Sequence, residues 1–102
     1  MLDQRVPLGV VYPTPVQPMD RLGEALGLPT GRLWVKRDDL TGLAGGGNKV
    51  RKLEHLCADA LAQGCDLLVT GGGEQSNHVR MTAAAANRLG LDCTIVLAGD
   101  AV

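Results

Sequence analysis

The segment between residues 66 and 97 constrains the fold of this 102-residue chain more than any other. Asp66–Thr70 contains the apolar run of a strand buried on both faces, and Cys93–Leu97 repeats that pattern. The glycines Gly71–Gly73 end the first run, and an alanine-rich helix is predicted over about Ser76–Leu89. Two such strands joined by a helix form a β-α-β unit, which is almost always a right-handed parallel crossover. The pattern therefore predicts an α/β fold with a parallel sheet.

The residues before this unit predict a simpler succession of segments. Four prolines between residues 6 and 18 disfavour a helix and predict an extended arm lying over the fold. Over Asn48–Gln63 the apolar positions recur at helical spacing, and Gly64 follows where a C-terminal cap is expected. The remaining segments are a short helix with the apolar stripe Leu22, Ala25 and Leu26, a strand at Arg32–Arg37 and a loop at Asp38–Gly47.

The chain is long enough for one modest core, so a single domain is expected. We divide it into an arm with a short helix at residues 1–30 and an α/β segment at residues 31–102. The strand Cys93–Leu97 would need helices on both faces, yet the sequence stops at Val102. We therefore expect a partial three-layer fold that is the N-terminal portion of a longer protein.

Charge and cysteine content argue against several classes of function. Acidic and basic residues are interspersed and the formal charge is −1, which gives no electrostatic footprint for nucleic acid or an anionic membrane surface. No apolar run resembles a signal peptide or a membrane span. Cys57, Cys65 and Cys93 are odd in number and lack metal-ligand spacing, which favours reduced thiols in a cytoplasmic protein without a metal. A small-molecule ligand is expected.

The first candidate site consists of Ser76, Asn77 and His78 in the predicted first turn of the second long helix. In an open parallel sheet, ligands bind at the carboxyl ends of the strands, where this turn would lie. Unpaired N–H groups and the helix dipole attract a carboxylate or phosphate there. The alternative is structural, with Ser76 as an N-cap and Asn77 as a solvated residue. The spacing leaves both interpretations open.

The second candidate site is the sequence GGGNKVRK at residues 45–52, where three glycines precede three cations in the first turn of a helix. Cations there oppose the helix dipole, each at a cost of roughly 0.3 to 1 kcal/mol, unless an anion lies nearby. A bound anion could supply that charge, or Asp38 and Asp39 could do so as structural partners of Arg or Lys. The alternative is a solvated basic face. Periodicity does not distinguish Lys49 from Lys52.

Three ordered motifs together carry a resemblance to a known family. They are WVKRDDLTG at residues 34–42, GGNKVRKLE at residues 46–54 and QSNHVR at residues 75–80. The chain closely resembles, from about Pro13 to Leu97, the D-cysteine desulfhydrase and 1-aminocyclopropane-1-carboxylate deaminase family of pyridoxal-phosphate enzymes. This resemblance implies the tryptophan synthase β-like fold, also called fold type II, and a much longer complete protein.

The resemblance also implies roles for individual residues. Lys49, which follows Gly-Gly-Asn, would form the covalent imine with pyridoxal 5'-phosphate and would move protons as a general base or acid. Asn77 would hydrogen-bond the ring hydroxyl of the cofactor. Ser76, with the first-turn amides through His78, would hold the substrate carboxylate, and in the deaminase branch Ser76 would also act as a nucleophile or proton relay. Partners for the cofactor phosphate and pyridine nitrogen are expected in later sequence.

The activity implied by the resemblance is that of a lyase or deaminase acting on a small amino acid. The form with His78 after Asn77 is common among desulfhydrase-like members, whereas the deaminase form usually carries glutamine there. We therefore favour β-elimination from D-cysteine, giving pyruvate, ammonia and sulfide, over the alternative deaminase, a hydrolase acting on 1-aminocyclopropane-1-carboxylate. A cytoplasmic homodimer is the expected assembly of the complete protein.

Two rival interpretations assign the same residues differently. Gly71-x-Gly73-x-x-Ser76 follows a strand, opens a helix and precedes Asp100, which nearly fits a dinucleotide-binding fingerprint. In that interpretation Ser76 replaces the third glycine, and the residues around Lys49 have no role. The other rival is a non-catalytic protein in which the glycines only form turns.

Overall fold

The computed structural model describes residues 4–99, and within that range the order of elements follows the predicted one. The helices are α1 (Asp20–Ala25), α2 (Lys49–Ala62) and α3 (Asn77–Leu89). The strands are β1 (Val16–Pro18), β2 (Trp34–Lys36), β3 (Leu67–Gly72) and β4 (Asp92–Leu97). Two short 3-10 turns, Asp38–Leu40 and Leu43–Gly45, lie within the predicted loop. Each predicted helix and strand is confirmed, and β1 is an additional strand inside the arm.

The β-α-β unit consists of β3, α3 and β4. The two strands pair in parallel over six residue pairs, as predicted. Ser76 caps α3 because its Oγ accepts the backbone N–H of Val79 at 3.3 Å. Gly90 ends the helix in the left-handed conformation, which glycine adopts without a steric penalty. The boundaries of α3 therefore follow from local capping.

The prediction that β3 and β4 are buried on both faces is wrong for the described residues. Helix α3 packs on both strands and covers the face that carries Leu68 and Thr70, whereas Val69 on the other face is 66% exposed. Val96 of β4 is 59% exposed. An apolar run is buried only where another layer covers it, and no element within residues 4–99 covers this second face. In addition, β3 continues through Gly72, although a break at the glycines was expected.

The core lies between α2, α3 and the arm. Leu8 of the arm is 1% exposed and packs with buried side chains of both helices, namely Val50, Leu53, Cys57, Met81 and Ala85. Full burial of a leucine side chain contributes roughly 1.5 to 3 kcal/mol. The arm was expected to lie over the fold, but it is a structural part of the core.

The first forty residues also contain a small antiparallel pair of strands, β1 and β2. Val16 lies opposite Lys36 in this pair. The apolar stripe predicted for α1 lies outside the core, because Leu22 and Leu26 are exposed and Gly23 is the buried residue of this helix. A helix of six residues has fewer than two turns, so apolar spacing along it is a weak guide to burial.

The loop between β2 and α2 folds back on itself just before Lys49. The buried Thr41 uses its Oγ1 to accept the N–H of Gly47 at 3.0 Å and to donate to the carbonyl of Gly47 at 2.8 Å. Gly46 has a φ of +94° and lies against the backbone of Asp39, where an added Cβ would overlap the carbonyl oxygen. Both the backbone conformation and the close approach therefore require glycine at position 46.

We predict that Gly46→Ala destabilises the protein by at least about 2 kcal/mol more than Gly45→Ala, because only the first substitution adds a steric overlap. Gly45 is a matched control, since its φ is +85° and an added Cβ would have no atom within 4 Å. Urea unfolding of the two variants measures the difference. Equal losses of stability would contradict the close approach at Gly46.

Candidate active site

The packing of α2 against α3 brings the two predicted sites together. Lys49 is the first residue of α2, and His78 lies in the first turn of α3. Burial lowers the pKa of His78 from its ordinary value, and the positive charges of Lys52 and Lys49 lower it further. The basic turn of α2 and the polar turn of α3 therefore lie near one another.

The loop before α2 is bonded directly to α3. Nη2 of Arg80 donates to the carbonyl oxygen of Gly46 at 3.0 Å. Gly47 lies against Met81, because an added Cβ there would be 3.0 Å from the methionine sulfur. These two contacts fix the backbone that leads into Lys49 relative to the first two turns of α3.

The first turn of α3 offers hydrogen-bond donors to a ligand. Ser76 accepts the N–H of Val79 through its side chain and the N–H of Arg80 at 3.2 Å through its carbonyl. Within residues 4–99, the backbone N–H groups of Asn77 and His78 have no acceptor. The structural and the ligand-binding interpretations of Ser76 are therefore compatible, since its N-cap bond uses a lone pair and leaves the hydroxyl proton available.

The three cations at the start of α2 have different surroundings. Arg51 is paired with Asp38 at 2.7 Å, which confirms that a structural carboxylate balances part of the charge. Lys49 is half-buried and Lys52 is exposed, and neither forms an ion pair in the part of the chain that the structure describes. Two positive charges at this end of α2 are therefore left without a carboxylate partner among the described residues.

A cavity of about 130 Å³ lies between α2, β3 and α3. Its lining is mainly apolar and consists of Leu53, Leu56, Cys57, Leu68, Val69, Thr70, His78 and Thr82. The Nδ1 atom of His78 is buried and has no hydrogen-bond partner in the described residues. A buried ring nitrogen without a partner is costly, so His78 has unused capacity for a hydrogen bond.

Sequence reasoning missed the buried carboxylate of Glu54, which is 3% exposed. Its two oxygens accept the backbone N–H of Leu8 and the O–H of Tyr12, both at 3.1 Å. The guanidinium groups of Arg5 and Arg51 lie 5.6 and 4.9 Å from the centre of the Tyr12 ring. Burial and the hydrogen bond to Glu54 raise the pKa of Tyr12. These partners are far apart in sequence, so no local pattern could have revealed them.

The paired aspartates before α2 have the structural role expected of them. Arg51 donates through Nε and Nη2 to the two carboxylate oxygens of Asp38 at 2.7 and 2.9 Å, and Thr14 donates its hydroxyl to Asp38 at 2.8 Å. The Arg51 bond and then the Thr14 bond lower the pKa of Asp38 to about 2. Asp39 pairs with Arg37 at 2.7 Å.

Residues 4–99 contain no cluster of three or more His, Cys, Asp or Glu side chains that could hold a metal ion. None of the helices in that range combines the length and apolar character needed to cross a membrane. Asp100, the acidic residue of the dinucleotide-binding alternative, lies outside the described residues.

We predict that Lys52→Gln raises the pKa of His78 towards its ordinary value, because a nearby positive charge disfavours protonation of the imidazole. The midpoint of the His78 ring resonances in an NMR titration measures this shift. Lys36→Gln provides the control, since Lys36 contacts the carbonyl of Thr14 in a different part of the chain. An unchanged midpoint in Lys52→Gln would contradict an electrostatic effect of Lys52 on His78.

Comparison with known proteins supplies the family. The family model for pyridoxal-phosphate dependent enzymes matches residues 8–102. The chain is 57% identical over 84 residues to a D-cysteine desulfhydrase from Yersinia enterocolitica and 55% identical over 85 residues to one from Klebsiella pneumoniae subsp. pneumoniae. These alignments cover 82% and 83% of this chain but 24% and 25% of the relatives. The chain therefore spans about a quarter of the length of these curated relatives.

A solved structure gives the same relationship in three dimensions. A crystal structure described as an ACC deaminase homologue superposes with a TM-score of 0.85 at 45% sequence identity. The match covers 95% of this chain and 29% of that chain. It confirms the predicted fold class, the N-terminal part of an α/β fold of type II. Because the family model covers nearly the whole sequence, the chain belongs to the family of pyridoxal-phosphate dependent enzymes.

Proposed function

We propose that this chain belongs to a lyase that uses pyridoxal 5'-phosphate to cleave a small amino acid, and that Lys49 binds the cofactor covalently. One observation carries the proposal: in a chain of this family, a half-buried lysine without an ion pair in the described residues lies at a helix start that is held near the polar first turn of α3. The same facts favour this interpretation over a nucleotide-binding protein. They also favour it over a non-catalytic protein in which the glycines only form turns.

The described residues fit the cofactor. Lys49 and Lys52 leave positive charge at the start of α2, and the amides of Asn77 and His78 leave unused donors at the start of α3. Two helix N-termini with unused donors and unpaired cations suit an anionic ligand such as a phosphate or a carboxylate. When bound, pyridoxal phosphate supplies an electron sink for the bond that is broken.

Each site residue has a role that its contacts permit. Lys49 holds the cofactor and moves a proton at the substrate carbon beside the amino group. Ser76 donates its hydroxyl proton to the substrate carboxylate while its lone pair keeps the N-cap bond to Val79. Asn77 is exposed at the helix start and hydrogen-bonds the ring hydroxyl of the cofactor. The first-turn amides through His78 complete the carboxylate site.

The preferred reaction is β-elimination from D-cysteine, which gives pyruvate, ammonia and sulfide. The names of the two relatives above support this choice, as does an imidazole at position 78. The name of the structural neighbour supports the alternative, deamination of 1-aminocyclopropane-1-carboxylate. Either activity would belong to the complete protein, because this chain spans only about a quarter of the length of these relatives. The relatives named D-cysteine desulfhydrase support a lyase, so the class hydrolase, which the sequence analysis gave to the deaminase alternative, is withdrawn.

The organisation of the complete protein is part of the proposal. Residues 1–30 would form an arm with a short helix, and residues 31–102 an α/β segment that carries the cofactor lysine, both in the N-terminal portion of a longer enzyme. Free cysteines support a cytoplasmic protein, and interspersed charges support one without a nucleic-acid or membrane partner. The amino-acid substrate is supported by the names of the relatives. Assembly as a homodimer rests on the family resemblance.

We predict that the protein containing this chain, loaded with pyridoxal phosphate, has a higher kcat/KM for sulfide release from D-cysteine than for 2-oxobutanoate release from 1-aminocyclopropane-1-carboxylate. Lys49→Ala should abolish both activities because it removes the reactive amine. Lys52→Ala, one turn along the same helix, is the matched control: it removes a charge near the site but keeps the reactive amine of Lys49, so it should retain part of both activities. Side-by-side steady-state assays of the three proteins measure this.

The possible failures of this experiment have separate meanings. A higher kcat/KM on the cyclopropane substrate would overturn the choice of reaction and leave the cofactor assignment intact. An active Lys49→Ala variant together with an inactive Lys52→Ala variant would overturn the choice of lysine.

A further inference from the structure

A network of side chains on the rear of α2 connects three separate segments of the chain. This rear network consists of Tyr12 and Thr14 from the arm, Asp38 from the loop, and Arg51 and Glu54 from α2. Arg51 contacts every other member except Glu54, which lies one turn further along the helix. Sequence analysis gave Arg51 no part in the chemistry, and the proposed reaction does not use it.

The rear network lies on the opposite side of α2 from Lys49. At 3.6 residues per turn, a separation of two residues turns the side chain by about 200° around the helix axis. Arg51 therefore points away from the direction of Lys49, towards the arm and the loop. Any effect of Arg51 on Lys49 must pass through the backbone of the first turn.

The hydrogen bonds provide that connection. Arg51 holds the side chain of Asp38, and the carbonyl of Asp38 accepts the N–H of Gly47 at 3.0 Å. Gly47 lies two residues before Lys49 and also packs on Met81 of α3. On the other side, Glu54 accepts the N–H of Leu8 and so docks the arm against the same helix. The start of α2 is thus held by the loop, through Asp38, and by the arm, through Glu54.

We propose that Arg51 is a positioning residue for Lys49. By joining the arm and the loop to the rear of α2, it fixes the first turn of this helix and thereby the direction in which the lysine amine extends towards α3. This inference rests on the proposed function, because it concerns the lysine assigned to the cofactor.

The contacts of the network require arginine, and another cation such as lysine cannot replace it. The planar guanidinium donates through two nitrogens to both carboxylate oxygens of Asp38 and approaches the Tyr12 ring within 4.9 Å. A lysine ammonium keeps the charge but lacks the planar fork, so it cannot reproduce both bonds and the ring contact together. Arg51→Lys therefore loosens the network without removing its charge.

The test compares Arg51→Lys with Arg37→Lys in the complete protein. Arg37 is a matched control because it makes a similar two-point pair with Asp39, at 2.9 and 2.7 Å, without contacting α2. For Arg51→Lys we expect kcat on D-cysteine to fall roughly tenfold to a hundredfold, since small misplacements of reacting groups cost that much. KM should change by less than about threefold, and the visible absorption band of the bound cofactor should weaken or shift. Arg37→Lys should match the wild type in kcat, in KM and in the absorption band of the cofactor.

A milder variant, Thr14→Val, tests the same network if Arg51→Lys does not fold. It removes only the hydroxyl that donates to Asp38 and accepts from Arg51, so we expect a smaller fall in kcat in the same direction. Wild-type kcat and an unchanged cofactor band in both rear-network variants would overturn the inference. Lower melting temperatures with unchanged kcat and spectrum would also overturn it, because the network would then be only structural.

The wild-type protein separates this inference from the proposed function. A wild type without a cofactor band on addition of pyridoxal phosphate would refute the proposed function and the role of Arg51 with it. A wild type with the band, whose position and intensity are the same in Arg51→Lys, would leave the proposed function standing and refute only the positioning role.

Discussion

The close packing of α2 against α3 determines how the candidate site is built. Buried side chains such as Val50, Leu53, Met81 and Ala85 hold the two helices together, and this contact sets their N-terminal turns face to face. Each N-terminus carries unsatisfied N–H groups and the positive end of a helix dipole. Two such ends at one place favour an anion, and the added charges of Lys49 and Lys52 strengthen that preference. A pyridoxal-phosphate site is consistent with this electrostatic field.

The charged residues around α2 divide into a structural group and a group that remains available. Arg51 and Arg37 are paired with Asp38 and Asp39 at short distances. Lys49 has no such partner within the described residues, which fits the proposed attachment of the cofactor to its amine. The aspartates, which sequence analysis weighed as possible anions for the basic turn, thus pair with Arg51 and Arg37, and neither pairs with Lys49. This division gives the adjacent cations Lys49 and Arg51, in one helical turn, different surroundings.

Much of the fold followed from local signals in the sequence. The apolar spacing of α2, the Ser76 cap and Gly90 at the end of α3, and the apolar runs of β3 and β4 each act over a few residues, and each was predicted. Burial was harder to predict because it depends on what covers a strand, as the exposed Val69 demonstrates. The burial of Leu8 in the core was missed for the same reason, since its partners lie more than forty residues away.

Less of the candidate site than of the fold could be predicted from the sequence. Helical spacing indicated the basic first turn and the polar first turn separately, but only the family resemblance distinguished Lys49 from Lys52. No local signal indicated that the two turns face each other, because their proximity depends on the packing of α2 on α3. The partners of Glu54, among them Tyr12 and Leu8, were equally invisible, since a carboxylate on a helix is normally solvated.

Chemical labelling tests the central claim, that Lys49 is the residue to which the cofactor is bound, most directly. The complete protein is loaded with pyridoxal phosphate, reduced with borohydride to make the attachment permanent, digested, and analysed by peptide mass mapping. Our account predicts that the reduced cofactor is found on the peptide that contains Lys49, with fragmentation assigning it to that residue. Label on Lys36 or Lys52 instead would contradict the account.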